Sequence, residues 1–367
     1  MKIGIPKETK DQEGRVALTP DAVRQLAAAG HAVIVQVDAG IGSGFLNDEY
    51  IRAGAQLGSA AEAWNNELVL KVKEPLESEY GFLKDQIVFT FLHLAGVPRS
   101  LTESLLRQKT IGIAYETLED AQGRLPLLAP MSAVAGNMAA LMGAYYLGKT
   151  HGGKGVQLGK VQGTRHGKVL VIGDGVVAYH AASSAHGLGA EVVVAGLDAL
   201  KGALWEAEFG EGFKFVISSP EEISAKLPET DLVVGAVLSR GAKAEYVVTE
   251  AQVKRLLPGS VVVDVSIDQG GCIETSRPTS HSQPVYILHD VIHYCVTNMP
   301  GAYPRTATVA LSDAVIPYAL RLANEGLRAL TGDTGFTKAL NTFQGKLTIR
   351  PVAEALGLLD HYQPYSA

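Results

Sequence analysis

Cysteine is almost absent from this chain. Cys272 and Cys295 are the only two, 23 positions apart, with no CxxC pair and no histidine at metal-ligand spacing. That scarcity argues against a zinc site and against a disulfide framework, and no metal is expected. Positive charge is not in excess either: 32 Lys and Arg stand against 38 Asp and Glu, a net charge of −6. No basic surface for nucleic acid or for an anionic membrane is therefore expected. No secretory leader is expected, since Met1-Lys2-Ile3-Gly4-Ile5 is patterned as a strand with no long apolar stretch behind it. The expected compartment is the reducing cytoplasm. Only one charge-free run, residues 125–148, is long enough to span a bilayer. It is broken by Pro126, Pro130, Ser132, Gly136, Asn137 and Gly143, and is read as a short loop leading into a buried helix over about 131–147.

What is present is α/β patterning on a two-domain scale. Chains beyond roughly 250–300 residues usually split their core, and this one has 367. Apolar strands are expected at 2–5, 32–37, 68–72, 87–92 and 111–114, with helical stretches between them such as 101–108. Thr19-Pro20-Asp21 supplies a helix cap, a first-turn proline and a first-turn acid. A glycine-rich stretch, 152–167, reads as a surface loop. A second series follows, with strands at 169–172, 191–195, 213–217, 232–236 and 261–265, and the pattern turns helical after about Tyr303. The expected fold class is α/β: two Rossmann-like, doubly wound parallel-sheet domains with a ligand cleft between them.

The second series opens on Lys168-Val-Leu-Val-Ile-Gly173-Asp174-Gly175-Val-Val177-Ala178. A strand, a tight glycine turn and a helix N-terminus bring backbone N–H groups and the positive helix end against a pyrophosphate. Gly173 permits the turn, Gly175 lets a phosphate approach, and Ala178 stands where the pattern takes Gly or Ala. The acid that binds the adenosine ribose should end the next strand, but that position is Gly196. Asp198, two residues on, is the alternative candidate. Asp174 adds a negative charge close to the expected phosphates. NAD is the expected cofactor, NADP stays open because of Gly196, and Gly196→Asp is expected to tighten NAD binding.

Ligands of open α/β sheets sit outside the carboxyl ends of the strands. In the first series those ends carry Lys73, His93, and Tyr115 with Glu116, while Arg15 precedes the first helix cap. Arg can grip a carboxylate bidentately, Lys can polarise a carbonyl, and His can move a proton near neutral pH. Each alone is more often structural or solvated; what argues for function is their convergence on one rim. In the second series Asp264 lies within a strand and reads as structural, whereas Asp268 falls past the strand end.

At this point the chain resembles the alanine dehydrogenase family over nearly its whole length. The resemblance is carried by Gly4-Ile-Pro-Lys-Glu8, Arg15-Val-Ala-Leu-Thr-Pro20, Lys71-Val-Lys-Glu-Pro75, Phe91-Leu-His-Leu-Ala95, Ala114-Tyr-Glu-Thr117 and Pro130-Met-Ser132. It continues through Gly235-Ala-Val-Leu238, Val263-Asp-Val-Ser-Ile-Asp268-Gln-Gly-Gly-Cys272 and Asn298-Met-Pro-Gly301. The resemblance implies NAD-linked interconversion of L-alanine and water with pyruvate and ammonium. It implies that Arg15 and Lys73 bind substrate carboxylate and carbonyl, that His93 is the acid/base, and that Asp268 assists water or the carbinolamine near the nicotinamide. Ser132, Gly173, Gly175, Val177, Ser218, Val237, Leu238, Arg277 and Asn298 match cofactor-contacting positions, and Lys201 matches a basic residue near the adenosine ribose. It further implies a substrate domain from 1–128 and 303–367, a dinucleotide domain from 129–302, and a homohexamer. Departures cluster at the adenosine end: Asp174 and Ala178 replace Gly, and Gly196 replaces Asp. The competing readings are a transhydrogenase α subunit and a catalytically silent dinucleotide-binding paralogue.

Overall fold

The computed structural model describes residues 1–237 and 246–365. The chain divides into two compact units, Met1–Met131 with Gly301–Ala367, and Ser132–Pro300. In chain order the first unit begins with β1 (Lys2–Ile5), α1 (Pro20–Ala28), β2 (Ala32–Gln36), α2 (Asn47–Arg52), β3 (Gln56–Gly58), α3 (Ala60–Trp64) and β4 (Leu68–Leu70). It continues with β5 (Ile87–Thr90), α4 (Arg99–Gln108) and β6 (Ile111–Ala114), after which α5 (Ala129–Tyr146) leads into the second unit. There follow β7 (Lys168–Ile172), α6 (Val176–Leu188), β8 (Glu191–Gly196), α7 (Ala199–Phe209), β9 (Phe213–Ile217), α8 (Pro220–Lys226) and β10 (Leu232–Gly235). Next come α9 (Glu250–Val253), β11 (Val261–Asp264), β12 (Val285–Leu288) and β13 (Val291–Tyr294). The chain then returns to the first unit with α10 (Pro304–Glu325), α11 (Thr334–Thr337), β14 (Leu340–Phe343), β15 (Lys346–Leu347) and α12 (Arg350–Ala355).

Local sequence sets these elements. Thr19 caps α1 by accepting the Ala22 N–H, with Pro20 in the first turn, and Ser219 and Pro220 open α8 in the same way. The interior strands β4, β5, β10 and β11 are buried at every residue. Unbroken Val, Leu and Ile runs of this kind suit parallel strands covered on both faces. No helix of the described residues is long and apolar enough to cross a membrane. The glycine-rich stretch is a loop, but a pinned one, because Leu158 is buried in the core of the second unit.

Each unit is built on one sheet. The first runs β15-β14-β6-β5-β4-β1-β2-β3 and the second β12-β13-β11-β10-β7-β8-β9. Read from β3 and from β9, both follow the Rossmann order 3-2-1-4-5-6 through their parallel strands. The winding direction reverses between β1 and β4 in the first sheet, and between β7 and β10 in the second.

The antiparallel hairpins at the edges depart from expectation. Helical pattern was expected after Tyr303, yet β14 pairs antiparallel with β6 and with β15, and β12 pairs antiparallel with β13. Their turns are two residues long, Gln344-Gly345 and His289-Asp290, and all four residues have positive φ. That is the geometry of a primed hairpin turn. Neither carries the Asn-Gly or Asp-Gly pair that advertises such a turn in sequence.

His293, in the middle of β13, is fully buried. Nδ1 lies 3.0 Å from the Val291 carbonyl and Nε2 lies 2.8 Å from the Thr275 hydroxyl. A carbonyl only accepts, so Nδ1 carries the proton and neutral Nε2 accepts from threonine. Burial lowers this imidazole from 6.5 to about 4. The unfolded chain therefore takes up a proton between those values that the folded chain refuses. The folded state loses stability as pH falls from about 6.5 toward 4, by about 3 kcal/mol at this residue. Urea unfolding at pH 7 and pH 4.5 should show that loss in the wild type and a smaller one in His293→Gln; an equal loss in both would assign the acid sensitivity elsewhere.

Candidate functional site

The first sheet's switch point is filled by the protein's own charges. Glu8, just beyond β1, accepts the Val72 N–H at 2.7 Å and the Lys71 ammonium at 3.1 Å, beyond the end of β4. Lys71 also donates to Glu79 at 3.0 Å, and Glu79 accepts the Leu76 N–H at 2.9 Å. All three side chains are buried. Burial pushes the Glu8 carboxyl up. Burial also works to lower Lys71, but Glu8 and Glu79 outweigh it and hold the ammonium above its ordinary range. This network fixes the 71–76 segment on both sides of Lys73.

Lys73 is buried. Its carbonyl accepts the Thr90 hydroxyl at 2.9 Å, and its ammonium lies 3.7 Å from Glu74. Glu74 also receives Lys10 at 2.7 Å. Burial opposes ionisation of Glu74, but Lys73 and Lys10 prevail and hold its carboxyl below the usual range. Arg15, in the segment that leaves β1, is also buried. Its Nε and Nη2 contact the Glu13 carboxylate at 2.7 and 2.5 Å, and Nη1 faces the Met131 sulfur at 3.1 Å. The bidentate edge read from the sequence as open to a ligand is thus held by Glu13, and the guanidinium is fixed in place.

His93 follows β5. Its backbone is left-handed, φ +47°, a conformation a bulky residue adopts only where its surroundings enforce it. The enforcing group is Glu116, just beyond β6, whose two oxygens accept the N–H of His93 at 2.6 Å and of Leu92 at 3.2 Å. The imidazole stacks parallel on Phe91 at 5.5 Å, and its Nδ1 lies 3.9 Å from Glu116. The ring is about one-third exposed. Lys73 and His93 thus stand just beyond the carboxyl ends of the adjacent strands β4 and β5, and Arg15 lies in the segment that connects the neighbouring β1 to α1. Glu116 was visible in the sequence as a strand-end acid, but its task was not. Tyr115 beside it is fully buried, its hydroxyl without a hydrogen-bond partner among the described residues, and burial pushes that phenol well above its ordinary range.

In the second unit the switch point carries a glycine turn, and among the described residues no side chain fills it. Gly173 has φ +125°, and a Cβ there would stand 2.3 Å from the Ala236 carbonyl beyond β10. A Cβ on Gly175 would meet nothing within 4 Å. Gly175 stands at the N-cap of α6, which no side chain of the described residues caps. Ala178 is buried, and Val177 is half-buried. Gly136 of α5, read in the sequence only as a break in the charge-free run, lets α6 approach so closely that a Cβ would stand 2.4 Å from the Val177 carbonyl.

The remaining candidates line the same sheet. Ser218 follows β9, its N–H donating to the Gly196 carbonyl at 2.8 Å. Val237 is held on both sides by Ser266, which accepts its N–H at 3.0 Å and donates to its carbonyl at 2.7 Å; Ser266 had no role in the sequence reading. Leu238 lies outside the described residues. Asp268, in the turn after β11, accepts the N–H of Asn298 at 3.2 and 3.4 Å, and Asn298 is itself left-handed, φ +57°. Arg277 lies over the Tyr286 ring at 4.1 Å. Ser132 is half-buried on α5. Asp264 is structural, as expected: buried, it accepts the N–H groups of Ser266, Cys272 and Ile273.

The adenosine end corrects two expectations. Asp174 does not point its charge at the helix N-terminus; its Oδ2 accepts the Leu197 and Asp198 N–H groups at 2.7 and 2.9 Å. Gly196 is no simple vacancy either, since a Cβ there would lie 2.5 Å from the Phe215 ring and 2.7 Å from Asp174 Cβ. Gly196→Asp should therefore disturb the site rather than improve it. Asp198 caps α7 through the N–H groups of Leu200 and Lys201. A helix start uncapped among the described residues, beside a turn whose glycines carry no Cβ, fits a pyrophosphate.

Two Rossmann-ordered sheets, one with a glycine turn and a helix N-terminus at its switch point, define an α/β protein of the dinucleotide-binding type. The chain matches the alanine dehydrogenase/PNT N-terminal domain over residues 4–135 and the C-terminal domain over 139–350. The alanine dehydrogenase of Geobacillus stearothermophilus is 48% identical over 100% of this chain and 98% of its own. That of Lysinibacillus sphaericus is 50% identical over 98% and 97%. A solved L-alanine dehydrogenase superposes with TM-score 0.92 at 47% identity, over 97% of this chain and 99% of that one. This chain belongs to the alanine dehydrogenase/PNT family.

Glu116 supplies acceptors for two successive N–H groups, and glutamine can offer only one oxygen. Glu116→Gln should destabilise the fold by about 1–3 kcal/mol, measured by chemical denaturation. Unchanged stability would show that water or another group already satisfies the His93 amide.

Proposed function

We propose that the protein interconverts L-alanine, NAD⁺ and water with pyruvate, ammonium, NADH and a proton. The reading rests on one contrast between two sheets of the same strand order. The second has a glycine turn at its switch point that suits a pyrophosphate, while the first carries Lys73 and His93 just beyond adjacent strands, with Arg15 in the segment between β1 and α1. Names carried by relatives near 50% identity over full length support it.

In this reading the first unit is the substrate domain and the second the dinucleotide domain. Gly173, Gly175 and Val177 would hold the pyrophosphate, with Ser132, Ser218, Val237, Leu238, Arg277 and Asn298 as further contacts to NAD. When bound, NAD⁺ accepts the hydrogen of the substrate's α-carbon as hydride. Arg15, oriented by Glu13, holds the substrate carboxylate, and Lys73 polarises the carbonyl oxygen. His93 takes the proton released from the amino or hydroxyl group and returns it in the reverse direction. Asp268 orients the attacking water and balances the charge that develops at the α-carbon. The working form is a homohexamer in the cytoplasm, an inference that rests on the family resemblance and is tested by sedimentation.

The deciding assay is reductive amination of pyruvate with ammonium, run with NADH and with NADPH in parallel; absence of turnover with either would sink the proposal. His93→Ala and Asp268→Asn should each lower turnover by about two to four orders of magnitude while leaving NADH binding largely unchanged. A variant that keeps more than about a tenth of the wild-type rate leaves the mechanism.

A further inference from the structure

We propose that Asp174, inside the glycine turn, recognises the adenosine ribose, in place of the acid that such folds carry at the end of the second strand. The assignment rests on the dinucleotide reading above and names the residue that gives the site its choice of nucleotide. In this fold the ribose acid projects from the last residue of the strand after the glycine turn, here Gly196 of β8. Asp174 Cβ lies 2.7 Å from the point where a Cβ on Gly196 would begin. A side chain from 174 therefore starts from nearly the same place as one from 196.

The carboxylate is fixed, not loose. Oδ2 accepts the N–H groups of Leu197 and Asp198, the two residues that follow the strand end. Oδ1 is 3.7 Å from the Lys201 ammonium, which instead donates to the Asp174 carbonyl at 3.1 Å. Among the described residues nothing hydrogen-bonds Oδ1, and the side chain keeps about one-fifth of its exposure. One oxygen anchors and one remains to accept a hydroxyl. Asp198, the other candidate, uses its carboxylate to cap α7 with two N–H groups.

The chemistry follows from charge. A carboxylate oxygen accepts from a 2′-hydroxyl, and it repels a 2′-phosphate at the same position. Lys201 does not reverse this preference, because its ammonium already faces Asp174. The ribose subsite is thus selective for the unphosphorylated nucleotide, by an acid supplied from the phosphate turn itself.

The test measures binding to the full-length protein without turnover, by calorimetry with ADP, 2′-deoxy-ADP, NADH and NADPH. Wild type should prefer ADP over 2′-deoxy-ADP by on the order of tenfold, the worth of one hydrogen bond to a charged group. It should prefer NADH over NADPH by at least as much. Asp174→Asn keeps an oxygen for the two N–H groups and should bind ADP and 2′-deoxy-ADP nearly equally, with the NADH preference narrowed. Asp198→Asn should keep the wild-type ADP preference. The assignment is overturned by an Asp174→Asn protein that retains the full preference, by an Asp198→Asn protein that loses it, or by a wild type indifferent to the 2′ position. The NADH and NADPH comparison on wild type decides the matter even if Asp174→Asn does not fold, since equal affinities overturn it. A wild type that binds none of the four removes the dinucleotide reading itself, a distinct failure.

Discussion

What fills the point where each sheet reverses its winding determines everything else in this molecule. The two sheets share one strand order and both leave a crevice there. In the first, Glu8 crosses from β1 to the Lys71 ammonium and the Val72 N–H beyond β4. A phosphate could enter only by displacing a buried ion network, and breaking such a network leaves charge uncompensated at a cost of about 3–5 kcal/mol. In the second, Gly173 and Gly175 remove the side chains that could close the same crevice. One topology therefore yields two kinds of switch point: one closed by buried charges, with Lys73 and His93 just beyond its strands, and one with a glycine turn suited to an anion.

The two candidate acid/base regions share a device that follows from the same economy of backbone. His93 and Asn298 are both left-handed without being glycine. In each case the strained residue's N–H is held by a carboxylate, Glu116 for His93 and Asp268 for Asn298. Strain of about 1–3 kcal/mol persists only where the surroundings over-determine it. Glycine would adopt either conformation without cost, but it would bring no imidazole and no carboxamide. Asp268 consequently has two tasks, anchoring the 298 turn and presenting a carboxylate beyond β11. The Asn298 N–H points between the two oxygens of Asp268, 3.2 and 3.4 Å away.

Much of this was legible in the sequence, and the reasons are physical. Strands buried on both faces are predominantly apolar, so β4, β5, β10 and β11 stand out as runs broken only at their ends by residues such as Thr90 and Asp264. The strand-turn-helix around Gly173 is local, and its spacing is dictated by the turn. The edge hairpins were not legible, because His289-Asp290 and Gln344-Gly345 adopt positive φ without the dipeptides that usually signal it. Glu116 could be seen but not understood, since its partners Leu92 and His93 are more than 20 residues away. Arg15 was read as open to a ligand because its Glu13 partner is silent in sequence; only coordinates reveal which edge of a guanidinium is held.

The adenosine end shows why reading a motif position by position can mislead. Gly196 looked like a lost acid and Asp174 like a stray one, yet the two positions compete for one small volume. Phe215 explains why the acid sits at 174. Its ring lies 2.5 Å from where a Cβ on Gly196 would be and 2.2 Å from where one on Gly202 would be. A side chain at the end of β8, or on that face of α7, excludes the ring. With Phe215 in place, a carboxylate for this corner has to come from a residue that reaches past it, and the turn residue between Gly173 and Gly175 is so placed. Positions 174, 196, 202 and 215 therefore form one coupled set, in which substitutions are not additive. The unit that carries the chemistry is the volume they share, and no single one of its residues can be judged against a pattern alone.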